Sequence, residues 1–375
     1  MRKCLRADFD WIPVICLAMG LAFSQGNVRG QEPEKPAQNW PAPQEGDFVA
    51  RDFHFLSGAT LPEVKIHYYT LGKAVKDARG RTTNAVLILH GTGGSGNNFF
   101  RPIFAGELFG PGQLLDASKY FLILPDNVGH GKSSKPSDGL RARFPQYEYA
   151  DMIALQYELV TQGLGVNHLR LILGTSMGCM HSWLWGETYA DFMDALMPLA
   201  CQPAELAGRN RIWRKMVIDG IRQDPEWKNG DYTVEPRAGM QIAADFLIIA
   251  GSAPLHMQED LPTREAADKY LEDSLQRLTK SLDANDLLYA VSASRNYNPR
   301  PKLELIEAQV MYINSGDDFI NPPELGIAER EIRRVKNGKF ALLPASEQTH
   351  GHGTHTWAAV WKGYLKELLE RSAHP

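Results

Sequence analysis

The chain has 375 residues, 43% of them hydrophobic and 22% charged, enough for one large domain or two small ones with a sizeable core. Lys and Arg number 40 against 44 Asp and Glu, a net charge of −4 with no basic block. That balance offers no electrostatic footprint for nucleic acid, which is set aside as a partner.

The first residues differ in kind from the rest. Arg2, Lys3 and Arg6 precede the 13-residue apolar run WIPVICLAMGLAF, and Ala22 and Ser24 stand where a signal peptidase needs small side chains. Residues 1–24 therefore read as an export signal, although Asp8 and Asp10 are unusual in such a region. The run is shorter than the ~20 residues that span a bilayer, so no stable membrane insertion is expected after cleavage. A periplasmic or secreted protein is the expectation. Cys4 and Cys16 would leave with the signal. Cys179 and Cys201 remain, and are expected as buried free thiols, although export would permit a disulfide.

Residues 25–46, rich in Pro, Gln and Glu, read as a flexible linker. Order is expected from Asp47. The segments DFHFLSG and VKIHYYTLG predict a hairpin. Then come six short apolar runs: AVLILH (85–90), YFLILPD (120–126), LRLILG (169–174), ALMPLA (195–200), QVMYINS (309–315) and FALLPA (340–345). Runs apolar on both faces predict parallel strands covered on both sides. YADMIALQYELVTQGLG, between the second and third, predicts a helix ending at Gly163 or Gly165. Between roughly 202 and 301 the strand pattern stops and GRNRIWRKMVIDGIRQ, AGMQIAADFLIIAG and REAADKYLEDSLQRLTKSL predict helices. Strands resume afterwards, so the block reads as a helical cap inserted into an α/β sheet. The core then divides into 47–201 and 302–375.

Chemistry concentrates after the strands. Gly174-Thr175-Ser176-Met177-Gly178 is G-x-S-x-G between a strand and a helix, the setting of a nucleophile elbow. A Ser hydroxyl needs a base, and the base an orienting carboxylate, in the chain order Ser, acid, His. After QVMYINS come Asp317 and Asp318, of which Asp318 is the expected acid and Asp317 the turn former. After the last strand come His350, His352 and His355. His352, behind Gly351, is the expected base and His355 the reserve. These three also resemble the H-x-H-x-D-H run of metallo-β-lactamase-like hydrolases, which makes a metal-dependent hydrolase an alternative. Thr354 stands where that run has Asp, and no further ligand run is recognisable.

Gly91, Gly93 and Gly96 spell G-x-G-x-x-G after the first long strand. A dinucleotide loop needs an acid about 20 residues on, at the end of the next strand. Asp126 lies 30 residues past Gly96, and His90 precedes the glycines. The loop is read instead as an oxyanion loop, with the N–H of Thr92 (or Gly93) joining that of Met177. No cofactor and no metal are expected. His181, His256, Trp183, Trp185 and Trp213 are read as structural.

LSGATLPEVKIHYYTLG, NAVLILHGTGG, FPQYEYADMIALQYELVTQGLGV, GTSMGCMHSWLWGETYADFMDALMPLA, GDDFINPPEL and above all DPEWKNGDY resemble the homoserine O-acetyltransferase group of α/β-hydrolase-fold proteins. The likeness covers about residues 50–230 and resumes from about 305. It implies an α/β-hydrolase core, a helical cap, Ser176 as nucleophile, Asp318 as acid, His352 as base, a covalent acyl-enzyme and a homodimer through the cap. The departures are informative. Gly178-Cys179 replaces a glycine pair, and HGTGG replaces an Ala-Leu-Thr-Gly type of loop. Where the group's acceptor-recognising Arg and Tyr-Arg pair should fall, this chain has Ala244, Gly251 and Ser252. A charged acceptor loses its partners there. An acetyl-CoA-dependent transferase also does not belong behind an export signal. The expectation is a serine hydrolase acting on a small-molecule ester or related acyl compound. The alternatives are acyl transfer from acyl-CoA to a small alcohol, the metal-dependent hydrolase, and a non-catalytic binding protein.

Overall fold

The computed structural model describes residues 38–373. The predicted export signal lies outside the described residues, as does most of the predicted linker. The linker's end is not a free tether. Asn39 donates to the Gly106 carbonyl (3.2 Å), Trp40 packs against the core, and strand β1 (Gln44–His54) begins three residues ahead of the expected start of order. Apolar area on Trp40 is enough to dock a segment whose composition otherwise reads as linker.

The sheet continues with β2 (Thr60–Leu71), β3 (Ala85–Leu89), β4 (Phe121–Pro125), β5 (Leu171–Thr175), β6 (Ala195–Leu199), β7 (Gln309–Ser315) and β8 (Gly338–Leu343). Its order is β1-β2-β4-β3-β5-β6-β7-β8. The hairpin β1–β2 and the β2–β4 pair are antiparallel, and every other pair is parallel. Side chains alternate between faces, so each central strand feeds two cores. In β3, Leu87 and Leu89 join one core while Val86 and Ile88 join the other. That is why these strands read as unbroken apolar runs.

Ten α-helices lie among the described residues: α1 (Ala105–Leu108), α2 (Tyr149–Glu158), α3 (Met177–Thr188), α4 (Gly208–Gln223), α5 (Arg237–Ala250), α6 (Pro254–Asp260), α7 (Arg264–Ser281), α8 (Ala284–Ser292), α9 (Ile327–Glu331) and α10 (Ala358–Arg371). Helices α2 and α3 cover one face of the sheet; α1 and α10, through Phe104, Trp361 and Leu365, cover the other. Helix α2 runs on into a π-turn at Leu159–Gly163. Helices α4 to α8 stand between β6 and β7 and bury a small core of their own around Trp213, Val217, Ile221, Met240, Leu287 and Val291. No single helix among the described residues is long and apolar enough to cross a membrane.

The cysteines depart from expectation. Cys179 and Cys201 form a disulfide with Cα atoms 5.8 Å apart, not two free thiols. The first turn of α3 and the end of β6 meet because β5 and β6 are parallel neighbours, a juxtaposition that linear spacing does not reveal.

Candidate active site

The sheet places Ser176 at the C-terminal end of β5, between strand and helix. The turn is tight enough to dictate its residues. A Cβ on Gly174 would lie 2.0 Å from the Gly178 carbonyl oxygen, and one on Gly178 2.1 Å from that of Leu89. Neither site admits a side chain. Ser176 itself has φ +54° and ψ −108°, a region that costs a non-glycine residue about 1–3 kcal/mol. The strain is held by bonds on either side: Ser176 N–H donates to Leu199 O (2.9 Å) and Gly178 N–H to His90 O (3.0 Å). The result lifts the hydroxyl clear of the sheet at the N-terminus of α3.

Two loops from the far end of the chain complete the arrangement. Asp318 follows β7 and His352 follows β8. His352 Nε2 lies 2.8 Å from Ser176 Oγ, and His352 Nδ1 lies 3.0 and 3.1 Å from the two Asp318 carboxylate oxygens. Burial by itself would raise the Asp318 carboxyl. The adjoining imidazole and the donors of Asn321 outweigh it and hold the group below its ordinary range. Three further bonds fix it: Ile320 N–H (2.8 Å) and Asn321 N–H (3.0 Å) donate to Oδ1, and Asn321 Nδ2 (3.1 Å) donates to Oδ2. Asn321 Nδ2 also donates to Ala200 O, tying the acid loop to the end of β6.

Asp317 has a larger part than a turn former. Its Oδ2 accepts from Thr349 Oγ1 and from Gly351 N–H, both at 2.9 Å, and Ser315 Oγ bonds its other oxygen. The two acids divide the work: Asp318 meets the ring of His352, and Asp317 holds the backbone that carries it. The other two histidines turn elsewhere. The His350 ring stacks between Trp357 (3.7 Å) and His256 of α6 (4.3 Å). Burial, and then the neighbouring His352, push His355 down to about 3. His355 is thus unsuited to act as a base at neutral pH, and among the described residues the Ser176 hydroxyl is bonded to His352. Among the described residues no group of three or more His, Cys, Asp or Glu is arranged to hold a metal ion.

The glycine loop lies against Ser176. A Cβ on Gly91 would sit 3.1 Å from Ser176 Cβ and 3.6 Å from its Oγ. No acceptor among the described residues takes up the N–H of Thr92 or that of Met177. Behind the loop, His90 Nε2 accepts from Asn127 N–H (3.1 Å), and its ring is sealed in a polar cluster with Asn127, Gln156 and His181. Burial pushes His90 down to about 4 and His130 to about 3, so both rings are neutral supports.

Sequence reasoning missed several neighbours of the site. Asn321, Tyr149 and Arg214 are buried within it or beside it. Arg214 did leave a signal: it interrupts the apolar stripe Trp213, Val217, Ile218, Ile221 on the buried side of α4.

The profile of the alpha/beta hydrolase fold matches residues 84–359, nearly three quarters of the chain. The chain belongs to that family. Within the alpha/beta hydrolase fold its relatives are acyl-handling enzymes. It is 28% identical over 282 residues to a probable acyltransferase of Methanothermobacter thermautotrophicus, covering 74% of this chain and 84% of that one. It is 28% identical over 370 residues to a homoserine O-acetyltransferase of Deferribacter desulfuricans, covering 86% and 95%. Its fold is that of an acetylester hydrolase from Corynebacterium glutamicum, with a TM-score of 0.76 at 20% identity over 87% of this chain and 96% of that one. The protein is an enzyme of the alpha/beta hydrolase fold, similar to homoserine O-acetyltransferases.

Proposed function

We propose that the protein is a serine hydrolase that cleaves an ester or related acyl compound through an acyl-enzyme on Ser176. The observation that carries this reading is the unbroken hydrogen-bond chain Ser176 Oγ–His352 Nε2, His352 Nδ1–Asp318. His352 Nε2 takes the hydroxyl proton as Ser176 Oγ attacks the carbonyl carbon. Charge develops on the carbonyl oxygen, where the free N–H groups of Thr92 and Met177 receive it, each contributing about 3 kcal/mol. His352 then returns the proton to the leaving alkoxide, which departs as an alcohol. Water attacks the acyl-enzyme, giving up its proton to His352. Collapse returns that proton to Ser176 and releases a carboxylic acid. Asp318 keeps the Nδ1 proton in place and offsets the imidazolium charge in both halves.

Water is favoured over an alcohol acceptor by Ala244, Gly251 and Ser252, which offer no cationic side chain at the places the acetyltransferase resemblance assigns to acceptor recognition. Acyl transfer is the second reading, supported by the names of the relatives; it shares the first half-reaction. Export over residues 1–24 is part of the proposal and is supported by the Cys179–Cys201 disulfide, a bond that persists in oxidising compartments.

The test is hydrolysis of 4-nitrophenyl acetate, with mass spectrometry for an acetyl adduct on Ser176. Wild type should turn over and carry a transient adduct, and Ser176→Ala should do neither. Retained activity in Ser176→Ala refutes the mechanism. Turnover that requires an added alcohol replaces hydrolysis by transfer. Cell fractionation with N-terminal sequencing of the mature protein tests export.

A further inference from the structure

Arg214 is the one Lys or Arg in the buried set among the described residues, at 2% exposure. It projects from the buried side of α4, its guanidinium carbon lies 4.6 Å from the centre of the Trp213 ring, and its hydrogen bonds are to neutral groups. Nε donates to Asn210 Oδ1 (2.9 Å) and Nη1 to Ser294 Oγ (3.1 Å). It makes no ion pair among the described residues, and Arg211 adds a like charge nearby. Three arginines nearer the surface meet carboxylates: Arg295 meets Glu148, Arg300 meets Glu331 and Arg334 meets Glu304. A guanidinium stays ionised at any accessible pH. Burying it without a counter-charge is costly unless something supplies one.

Beside it stands a second buried polar group. Tyr149 is 1% exposed. Its hydroxyl faces Arg214, Ser294 and Thr92. Burial raises Tyr149, so it keeps its proton and is a donor. Thr92 belongs to the loop whose Gly91 lies against Ser176. Thr92 and Tyr149 thus link the loop beside Ser176 to a buried cation that has no ion pair among the described residues.

We propose that Arg214 and Tyr149 form a carboxylate subsite on the oxyanion-loop side of Ser176, and that the substrate is an acyl compound bearing a carboxylate. The reaction itself rests on the acyl-enzyme reading above; the subsite does not. A planar fork of N–H donors matches a carboxylate in shape, and one positive charge matches one negative charge. The residues differ from those at 244, 251 and 252: the cation reaches the site from α4 instead of α5. The carboxylate belongs to either the acyl or the alcohol half, and the assay separates the two.

Two substrate pairs differ only by carboxylate against amide. 4-Nitrophenyl hydrogen succinate against 4-nitrophenyl succinamate places the charge in the acyl half, and acetoxyacetate against acetoxyacetamide places it in the alcohol half. Wild type should favour the anionic member of one pair by about tenfold or more in kcat/KM. Arg214→Met should collapse that ratio towards one, and Arg214→Lys should keep part of it. Equal turnover within both pairs overturns the subsite, as does an unchanged ratio in Arg214→Met. Calorimetry on Ser176→Ala isolates binding from chemistry and does not depend on an Arg214 variant folding. Succinate should bind about tenfold or more tighter than succinamide; equal affinity overturns the proposal whatever becomes of the acyl-enzyme.

Discussion

Opening the Cys179–Cys201 bond should cost stability in proportion to the loop it closes. The sequence separation is 22 residues, for which chain-closure entropy gives about 11 cal/mol/K, or roughly 3.4 kcal/mol at 25 °C. With about 2.1 cal/mol/K of unfolding entropy per residue over the roughly 340 described residues, the melting temperature should fall by about 5 °C. Both sulfurs are fully buried, so Cys179→Ala/Cys201→Ala loses some packing in addition. The bond lies behind the site. Cys179 sits in the first turn of α3, two residues past Met177. Cys201 follows Leu199 and Ala200, whose carbonyls accept from Ser176 N–H and Asn321 Nδ2. Those hydrogen bonds survive without the disulfide, so kcat/KM at 20 °C should change far less than stability does. Urea unfolding of wild type, reduced wild type and the double variant, with ester hydrolysis in parallel, measures both. Peptide mapping that finds two free thiols in mature protein, or a stability loss below about 1 kcal/mol in both reduced and doubly substituted forms, refutes the reasoning.

Asp318→Asn should keep the fold and cut kcat by roughly a thousand- to ten-thousand-fold, since the amide cannot hold the proton on Nδ1 or offset the imidazolium; steady-state kinetics beside a circular dichroism spectrum checks it. Gly178→Ala drives a Cβ to 2.1 Å from a backbone oxygen of β3, so it should destabilise by about 1–3 kcal/mol or more and misplace Ser176, read by urea midpoints and fluorophosphonate labelling. His130 is held neutral to about 3 against an ordinary 6.5. The unfolded chain therefore binds its proton first as pH falls, and the folded state loses about 1.4 kcal/mol per pH unit below 6.5 on its account. Burial raises Glu187 and Glu235 to about 7, with the opposite sign. The readout is accordingly a difference: His130→Gln should show a stability profile shallower than wild type by that slope between pH 6.5 and 4, and parallel profiles would contradict it.

What the sequence exposed and what it hid divide along one line. Strands β3 to β7 announced themselves because burial on both faces forces continuous apolar runs, and Ser176 because the elbow leaves no room for a Cβ at 174 or 178. Those are constraints imposed within ten residues. The edge strand β8 is half-exposed and is legible from its apolar residues without that cause. Asp318 and His352 were legible through chain order and the ends of predicted strands, a weaker signal that left His355 in reserve until its neutral environment was seen. The disulfide, the second role of Asp317 and the Tyr149–Arg214 pair depend on contacts between segments far apart in the chain, and no local pattern encodes them. Asp317 shows why. Its side chain reaches Thr349 and the Gly351 N–H, more than thirty residues on, and its nearest sequence cue, the Pro322-Pro323 turn, points to a different task. Arg214 is the instructive exception, because a charge set into an apolar helical stripe is visible in sequence. Its meaning is not visible there: an interrupted stripe fits a buried ion pair as well as a ligand subsite. Only the absence, among the described residues, of a carboxylate paired with the folded guanidinium separates the two. The specificity proposed for this enzyme thus rests on a buried charge whose counter-charge would come from the substrate.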